Sequence, residues 1–480
     1  MQELEIYIHN LWDKLIRTTS DVSLLVAENK YQSKNVLYVS SKENYQKIFN
    51  VFNQKVDVKK LPENLSEVLE SETQGLLYLP HPYVVPGGRF NEMYGWDSHF
   101  IILGLLNSGR DELAKNMADN QLYQIAHYGK VLNANRSYYL SRSHPPLLAS
   151  SVLAIYEKNE DKKWLEHAFP LLETYFKYYR TGEKFISDIG LSRYYDESSL
   201  PAYELRGEDE KGYYALLKEM FKTGKILSQY PLSTFYDEEK DELTENFYRS
   251  DRSMRESGFD ITDMFGAFSC ETIFKAPVCL NSLLFKMAKD LSEIAELIGD
   301  ITKSDFYMQE AARIGEAINN YLWHEEWGGY FNYDIVFKKN DNYLYATVFY
   351  PLWAGVASQK QAQELVKKAS GLMTEQGLLT SLNKSGKQWD FPFSWAPLNY
   401  FEVSGLKKYG FEEESEKIRL GFMKMIEEDF KKTHTLKEKY SLEDEETNIE
   451  FGYNSNEEGF GWTNAVYLEF LKFGRNGVNE

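Results

Sequence analysis

Residues 85–109 read VPGGRFNEMYGWDSHFIILGLLNSG. The stretch opens with a turn, because a proline stands before Gly87 and Gly88, and glycine adopts positive φ angles without steric strain. An apolar run then stops at Ser108-Gly109, which predicts a helix over about 96–108. A second apolar-periodic segment follows directly, at about 111–127, so the stretch predicts a helical hairpin behind a polar loop.

Similar pairs of apolar-periodic segments recur along the chain. The clearest is the series Ile418, Phe422, Ile426 and Phe430, which steps by four along one helical face. Because short connections make consecutive helices antiparallel neighbours, each pair predicts a hairpin. The further predicted pairs span 146–157 with 161–179, 271–298 with 303–323, 343–357 with 359–372, and 394–407 with 411–432, and a last helix spans 461–473.

Five or six such hairpins with few strands predict an all-α toroid of paired helices. An open solenoid is disfavoured, because solenoid repeats have similar lengths and these spacings are unequal. The long connections are predicted to be irregular and to carry function at one face of the toroid. They span 80–95, 129–145, 180–260 and 433–460.

Residues 1–75 contain a predicted strand at 35–39 and a predicted helix near 42–52. We interpret them as an N-terminal extension packed on a catalytic domain formed by residues 76–480. An independent small domain is the alternative interpretation.

Composition excludes several classes of protein. The 480 residues include 73 Asp and Glu against 54 Lys and Arg, which gives a formal net charge of −19. The electrostatic field of this negative charge repels phosphate backbones and anionic lipid, so neither nucleic acid nor a membrane is an expected partner. The N-terminus lacks the pattern of a signal peptide and no apolar stretch reaches about 18 residues, which predicts a soluble cytoplasmic protein.

The sequence contains no pattern for a metal or a nucleotide cofactor. Cys270 and Cys279, the two cysteines, have no CxxC partner and are predicted to be buried apolar residues. His324-Glu325 is not followed by the second histidine of an HExxH motif, and no glycine-rich phosphate loop occurs. Aromatic residues reach 15%, which indicates either a large aromatic core or a pocket lined by stacking rings.

Polar and aromatic residues concentrate in five clusters between the predicted helices. The first is the opening stretch, where Arg89, Trp96 and Asp97 crowd one loop and can bind hydroxyl groups and stack on a sugar face. The others read NANRSYYLSRSHPP at 133–146, RESGFD at 255–260, QWDFPFSWAP at 388–397, and EKY at 438–440 with EGFGWTN at 458–464.

Residues 86–97 and 388–397 resemble the two signature motifs of the trehalase family. The other clusters match that family in the same order, so the resemblance covers about residues 75–470. It implies an (α/α)6 toroid and an inverting glycoside hydrolase that acts on a small sugar without a cofactor or metal. By the same resemblance Asp260 is the general acid and Glu438 the general base. The predicted substrate-binding residues are Arg89, Phe90, Tyr94, Trp96, Asp97, Asn133, Arg142, His144, Glu204, Gly258, Trp389, Tyr453 and Trp462, and Arg255 also falls near a sugar-binding position of the family.

The chemistry of inversion fits this pair of carboxylates. One carboxylic acid protonates the leaving oxygen and the other carboxylate activates water on the opposite face, at a separation of about 6.5–9.5 Å. Asp260 and Glu438 lie on different predicted loops, so each can flank one side of a pocket. We expect the pKa of Asp260 to be raised by an apolar neighbour such as Phe259 or by a nearby carboxylate.

Several positions depart from the family pattern. Tyr453 stands where the family has Glu, Ala202-Tyr203 replaces Arg-Pro before Glu204, His144 replaces Gln, and Phe259 replaces Trp. The acid, the base and the first signature are retained, whereas several sugar contacts change.

Because the acid, the base and the first signature are retained, the predicted substrate is α,α-trehalose. Because several sugar contacts change, a related solute such as glucosylglycerate is the alternative. Arg142, Arg206 or His144 could meet the carboxylate of such a glycerate. A non-catalytic carbohydrate-binding protein and a helical scaffold for a protein partner are two further alternatives. The presence of both carboxylates favours the enzyme, and the sequence identifies no protein partner.

Overall fold

The computed structural model describes residues 2–18, 21, 36–71, 73–205, 208–443, 449–453 and 456–476. Its α-helices in chain order are α1 (Gln2–Leu15), α2 (Tyr45–Phe52), α3 (Ser66–Leu69), α4 (Asp97–Asn107), α5 (Asp111–Tyr128), α6 (Leu148–Asn159), α7 (Lys162–Tyr179), α8 (Glu208–Lys222), α9 (Glu245–Glu256), α10 (Val278–Ile298), α11 (Ile301–Tyr321), α12 (Tyr350–Ala354), α13 (Gln359–Lys368), α14 (Ala396–Lys408), α15 (Glu412–Thr433) and α16 (Gly461–Asn476).

The strands are short, and most belong to two-stranded antiparallel sheets. In chain order they are β1 (Ile16–Arg17), β2 (Val36–Val39), β3 (Asp57–Lys60), β4 (Leu76–Leu77), β5 (Tyr83–Val84), β6 (Phe185–Ile186), β7 (Leu191–Ser192), β8 (Tyr236–Asp237), β9 (Glu242–Leu243), β10 (Lys275–Ala276), β11 (Trp323–His324), β12 (Gly329–Tyr330), β13 (Tyr333–Asp334), β14 (Lys339–Asn340), β15 (Met373–Thr374), β16 (Gly377–Leu378), β17 (Phe393–Trp395) and β18 (Lys439–Ser441).

Six helices form a closed inner ring, because each packs against the next and the last packs against the first. Around the ring they are α4, α6, α10, α12, α14 and α16. The all-α fold of paired helices is thus confirmed, and the contact of α16 with α4 excludes the open solenoid. The predicted face of α15 is also correct, since Ile418, Phe422, Ile426 and Phe430 are all buried.

A second layer of helices packs outside this ring, with α5, α7, α11 and α15 each against an inner helix. The N-terminal α1 belongs to the same layer. The Trp12 indole donates a hydrogen bond to Ser108 Oγ, just beyond α4, at 3.0 Å. A Cβ at Gly104 would lie 2.8 Å from Ala465 Cβ and 3.0 Å from Trp12 Cζ2. Helices α1, α4 and α16 therefore meet at a glycine with no space for a larger residue.

The residues between α1 and the ring form a small parallel sheet in the order β3-β2-β4. Strand β2 confirms the predicted strand from Val36 onward, and α2 confirms the predicted helix. One face of the sheet has its own apolar cluster, which includes Val39 and Phe52. The other face packs against Leu132 and Leu140 of the loop before α6. The division of the chain at residue 75 stays a prediction.

The predicted irregular connection over 180–260 is wrong, because it contains α8 and α9. Helix α9 carries no apolar stripe, since its buried face includes Asp251, Arg252, Arg255 and Glu256. These charges pair in the interior, so hydrophobic periodicity could not reveal the helix. The first member of the fourth predicted pair is also shorter than expected, because α12 has only the residues Tyr350–Ala354.

Four of the five clusters of polar and aromatic residues precede the N-terminus of an inner helix, and the fifth, residues 255–260, lies at the end of α9 and in the loop after it. The opening stretch leads into α4, residues 133–146 into α6, residues 388–397 into α14, and residues 438–460 into α16. Because each inner helix is followed by an outer helix that returns, the N-termini of the ring lie at one face. The two free cysteines are buried, as predicted. Among the described helices none is long and apolar enough to cross a membrane.

Candidate active site

Asp260 lies in the loop after α9, and its side chain is 40% exposed. Arg255 Nη1 lies 3.7 Å from Asp260 Oδ2, while the rest of that guanidinium forms a bidentate pair with Asp251 at 3.1 and 3.2 Å. Although part of the side chain is exposed, the surrounding protein desolvates the Asp260 carboxyl group and raises its pKa to about 6; Arg255 and Arg142 lower the pKa, and Glu204 adds to the increase. A carboxyl group in this state supplies a proton near neutral pH.

Glu438 lies immediately before β18, and its side chain is 2% exposed. The Tyr453 hydroxyl donates a hydrogen bond to Glu438 Oε1, and Lys439 Nζ lies 3.9 Å from Oε2. The Trp462 indole donates to the Glu438 carbonyl at 2.9 Å. Burial raises the pKa of Glu438, whereas Lys439, Tyr453 and Arg89 stabilise its ionised form.

Gln388 joins the loop of Asp260 to the strand that follows Glu438. Its side-chain amide donates to the Asp260 carbonyl, and its Oε1 accepts a hydrogen bond from Lys439 Nζ at 3.1 Å. Strand β17 pairs antiparallel with β18, with Trp395 opposite Lys439. The second signature therefore connects the two carboxylate-bearing segments through one side chain and one strand pair.

Asp390 of the same signature fixes the loop beyond Asp260. Its carboxylate accepts hydrogen bonds from the Asp263 backbone at 3.0 Å and from Thr262 Oγ1 at 3.2 Å. Tyr343 and Ser385 donate to it from the opposite side at 2.7 and 2.6 Å. Sequence reasoning quoted Gln388, Asp390 and Lys439 within motifs but assigned them no role. Their place inside conspicuous signatures was the signal that could have singled them out.

Asp97 connects the two sides of the site electrostatically. It is the first residue of α4, and it is buried. Burial raises its pKa well above the usual range, and the charges of Glu438 and Asp260 add to that increase. The charges of Asp260 and Glu438 likewise both raise the pKa of Tyr453 and that of Lys439. The structure thus brings the two predicted catalytic carboxylates close enough to act on the same three residues, with Asp97 near both. We call the region between them the cleft.

Three predicted sugar-binding tryptophans lie beneath this cleft. Trp96, Trp389 and Trp462 are 2%, 2% and 4% exposed, and Trp96 packs against the other two at ring-centroid distances of 6.0 and 5.7 Å. Trp389 also stacks on Trp395 at 3.7 Å with the planes nearly parallel. Their burial supports the large aromatic core, and the stacking of these rings on a sugar stays a prediction.

The wall beside Glu438 consists of half-buried rings and a cation. Phe90 contacts Tyr94 edge-to-face at 5.4 Å and Tyr453 at 6.3 Å. The Arg89 guanidinium lies 4.0 Å from the centre of the Tyr453 ring. Arg89 Nε lies 3.6 Å from Glu457 Oε1. These residues of the first signature and of the segment before α16 are brought together, as the sequence predicts for a sugar site.

The wall on the side of Asp260 is formed by Arg142 and its partners. Arg142 is 1% exposed and pairs with Glu204, while its Nε and Nη1 atoms have no hydrogen-bond partner among the described residues. Burial would raise the pKa of Glu204, but Arg142 and neighbouring arginines hold it below its usual range. Asn133 donates to the Arg255 carbonyl at 3.3 Å and so supports the same wall.

His144 is buried at the edge of this wall. Its Nδ1 accepts a hydrogen bond from the Trp96 backbone at 3.2 Å. Burial and the charge of Arg142 lower its pKa well below the usual range, so the imidazole is neutral. Arg206, which the sequence also offers as a carboxylate partner, lies outside the described residues.

Gly258 is required by backbone geometry two residues before Asp260. Its φ is +80°, and a Cβ there would lie 3.0 Å from Trp96 Cε2. We expect Gly258→Ala to lower the free energy of unfolding by about 1–3 kcal/mol, because alanine is strained at this φ. A urea titration measures this loss. Gly129→Ala is the matched control: its φ is +77° but its Cβ would contact nothing, so a larger loss at Gly258 reports the Trp96 contact.

Comparison with known proteins now identifies the family. A family model described as Trehalase matches residues 5–474. The chain belongs to the trehalase family. A cytosolic neutral trehalase from Neurospora crassa is 34% identical over 462 residues, which cover 86% of this chain and 61% of that relative. The chain thus spans about three-fifths of the length of this trehalase.

Solved structures extend the comparison to the fold. The neutral trehalase of Saccharomyces cerevisiae superposes with a TM-score of 0.83 at 28% identity, covering 98% of this chain and 94% of that one. A mannosylglycerate hydrolase from Thermus thermophilus superposes with a TM-score of 0.57 at 19% identity, covering 81% and 95%. The latter shows a shared fold alone, whereas the trehalase matches over nearly its whole length.

Proposed function

We propose that the chain is an inverting glycoside hydrolase that cleaves α,α-trehalose into two glucose molecules. The observation that carries this proposal is the pairing of Asp260 and Glu438 at one cleft on a trehalase-family fold. Its relatives are named cytosolic neutral trehalases, which supports a cytoplasmic location and a small sugar as the partner. The reaction needs only the two carboxylates and water.

In this mechanism Asp260 is the general acid. Burial raises the pKa of both carboxyl groups, so the role of Asp260 as the acid rests on its position in the family motif. Bound substrate would cover the exposed side chain of Asp260 and favour the protonated form further. Glu438 is the general base, and Arg89 and Lys439 stabilise the carboxylate that takes a proton from water. Water attacks the anomeric carbon from the face opposite the leaving sugar.

The wall around Arg142 favours trehalose over a glycerate glucoside. An arginine that must bind a carboxylate group of the substrate needs its charge free, and Glu204 already pairs with Arg142. The neutral His144 adds no positive charge. The unpartnered Nε and Nη1 atoms of Arg142 remain donors suited to sugar hydroxyls.

The test is glucose release from trehalose, glucosylglycerate, kojibiose and sucrose in parallel, with the products followed by NMR before they mutarotate. We expect trehalose to be the best substrate and to give one α-glucose and one β-glucose, because inversion affects only the attacked ring. Two α-glucose molecules would contradict inversion. Preferential hydrolysis of glucosylglycerate would replace the proposed substrate by the alternative.

A further inference from the structure

The two oxygens of the Glu438 carboxylate have different surroundings. Oε1 accepts the hydrogen bond from the Tyr453 hydroxyl. Oε2 is buried and has no hydrogen-bond partner among the described residues, with Lys439 Nζ at 3.9 Å. A buried carboxylate oxygen without a partner is destabilising, so such a group in a native structure calls for a functional explanation.

Tyr453 is itself held in place by two cations. Lys439 Nζ lies 3.9 Å from the centre of the Tyr453 ring and the Arg89 guanidinium lies 4.0 Å from it. Lys439 also donates to the Tyr453 carbonyl at 3.2 Å and to Gln388 Oε1 at 3.1 Å. Cation–π contacts and hydrogen bonds together fix both the ring and the backbone of Tyr453. Its hydroxyl therefore meets Glu438 in a defined direction.

We propose that Tyr453 is a positioning residue that fixes Glu438 through Oε1 and leaves Oε2 to take the proton from water. This inference rests on the proposed function. In the reaction the water oxygen bonds to the anomeric carbon while the bond to the leaving sugar breaks. Asp260 gives its proton to the leaving oxygen, and Oε2 receives one proton of the water. Exchange with solvent restores both groups.

Lys439 acts on the same carboxylate through Tyr453 and through charge. Its side chain is 2% exposed, so its attraction to Glu438 is little screened by solvent. It also bonds to Gln388, which bonds to the Asp260 carbonyl. Lys439 therefore couples the position of the base to the loop of the acid, and we assign it as a second positioning residue.

The alternative role for Tyr453 is a direct contact with the sugar, and steady-state kinetics separates the two roles. For Tyr453→Phe we expect kcat to fall about 10- to 100-fold, because one hydrogen bond to a charged group is lost. We expect KM to change less than about twofold. The acidic limb of the kcat profile should move to higher pH, because the lost hydrogen bond favoured the ionised base. Lys439→Met should move that limb in the same direction.

Tyr307→Phe is the matched control, because Tyr307 donates to a carboxylate, Glu173, between outer helices at 2.9 Å. Its kcat and pH profile should equal those of the unaltered chain. A raised KM with unchanged kcat in Tyr453→Phe would overturn the inference in favour of a sugar contact, and an unchanged pH profile in both variants would overturn it outright. No trehalose hydrolysis by the unaltered chain would overturn the proposed function along with it.

Discussion

Asp260→Asn and Glu438→Gln are each expected to lower kcat by about 10²- to 10⁴-fold, the usual contribution of a general acid or base. Asparagine keeps the shape of Asp260 but cannot protonate the leaving oxygen. Glutamine can still accept the Tyr453 hydrogen bond but cannot take a proton from water. Both changes are nearly isosteric, so the fold should persist, as circular dichroism and thermal denaturation would check.

The two variants should differ on an activated substrate. Fluoride leaves without protonation, so α-glucosyl fluoride should restore much of the turnover of Asp260→Asn. The same substrate should leave Glu438→Gln inactive, because water still requires a base. If the fluoride rescued Glu438→Gln and not Asp260→Asn, the two roles would have to be exchanged.

Asp13→Asn provides a control for the removal of one negative charge. Asp13 is exposed on α1 and pairs with Arg110 at the surface, where an ion pair contributes about 0–1 kcal/mol to stability. Its kcat should match that of the unaltered chain. Near-full activity of either catalytic variant would show that the proposed acid or base is wrong.

Sequence periodicity predicted most of the paired helices, because most of them bury an apolar face. Ile418 and Phe422 of α15 illustrate this, as they point to the core at every turn. The same signal was present but missed in α1, where Leu4, Ile8 and Trp12 are buried at a spacing of four. It was absent from α9, whose buried face is charged. The unequal spacings of the pairs favoured a closed toroid, but the contact between α16 and α4 that closes the ring could not be predicted, since these helices are distant along the chain.

Signature motifs predicted which residues meet at the cleft but not how each one is used. The contacts of Gln388 with the Asp260 carbonyl and with Lys439 join segments that lie far apart in sequence. Trp389 resembles a stacking platform in sequence, yet its ring is covered by Trp395. Hydrogen bonds and ring contacts of this kind depend on tertiary packing, so residue type and spacing alone could not specify them.

A buried charge cluster beneath the hairpin of β13 and β14 carries the largest predicted effect on stability. Lys275 Nζ contacts Glu271 at 3.1 Å, Asp334 at 3.0 Å and Asp341 at 2.8 Å. Lys275 is 2% exposed, and Asp334 is fully buried. One lysine is therefore the shared counter-ion of three carboxylates, at the point where β10 pairs with β13.

Lys275→Met should lower the free energy of unfolding by about 3–5 kcal/mol, because removal of one partner leaves buried charges uncompensated. Urea titration measures the loss. Lys303→Met, which removes an ammonium group that pairs with Glu173 and is 44% exposed, should cost about 1 kcal/mol or less. A loss no larger than that of the control would contradict the prediction.

The pH dependence and a second substitution identify the cause of this loss. Burial raises the pKa of Asp341 to about 6, and Lys275 lowers it from a still higher value. Without Lys275 the folded-state pKa of Asp341 should rise above 6. The variant should therefore regain stability relative to the unaltered chain as the pH falls towards 6, the range in which Asp341 is protonated in the variant and still ionised in the unaltered chain. Adding Asp341→Asn to Lys275→Met should likewise restore part of the stability, because one of the uncompensated charges is gone. If the double variant were less stable than Lys275→Met alone, lost packing of the lysine stem rather than charge would explain the effect.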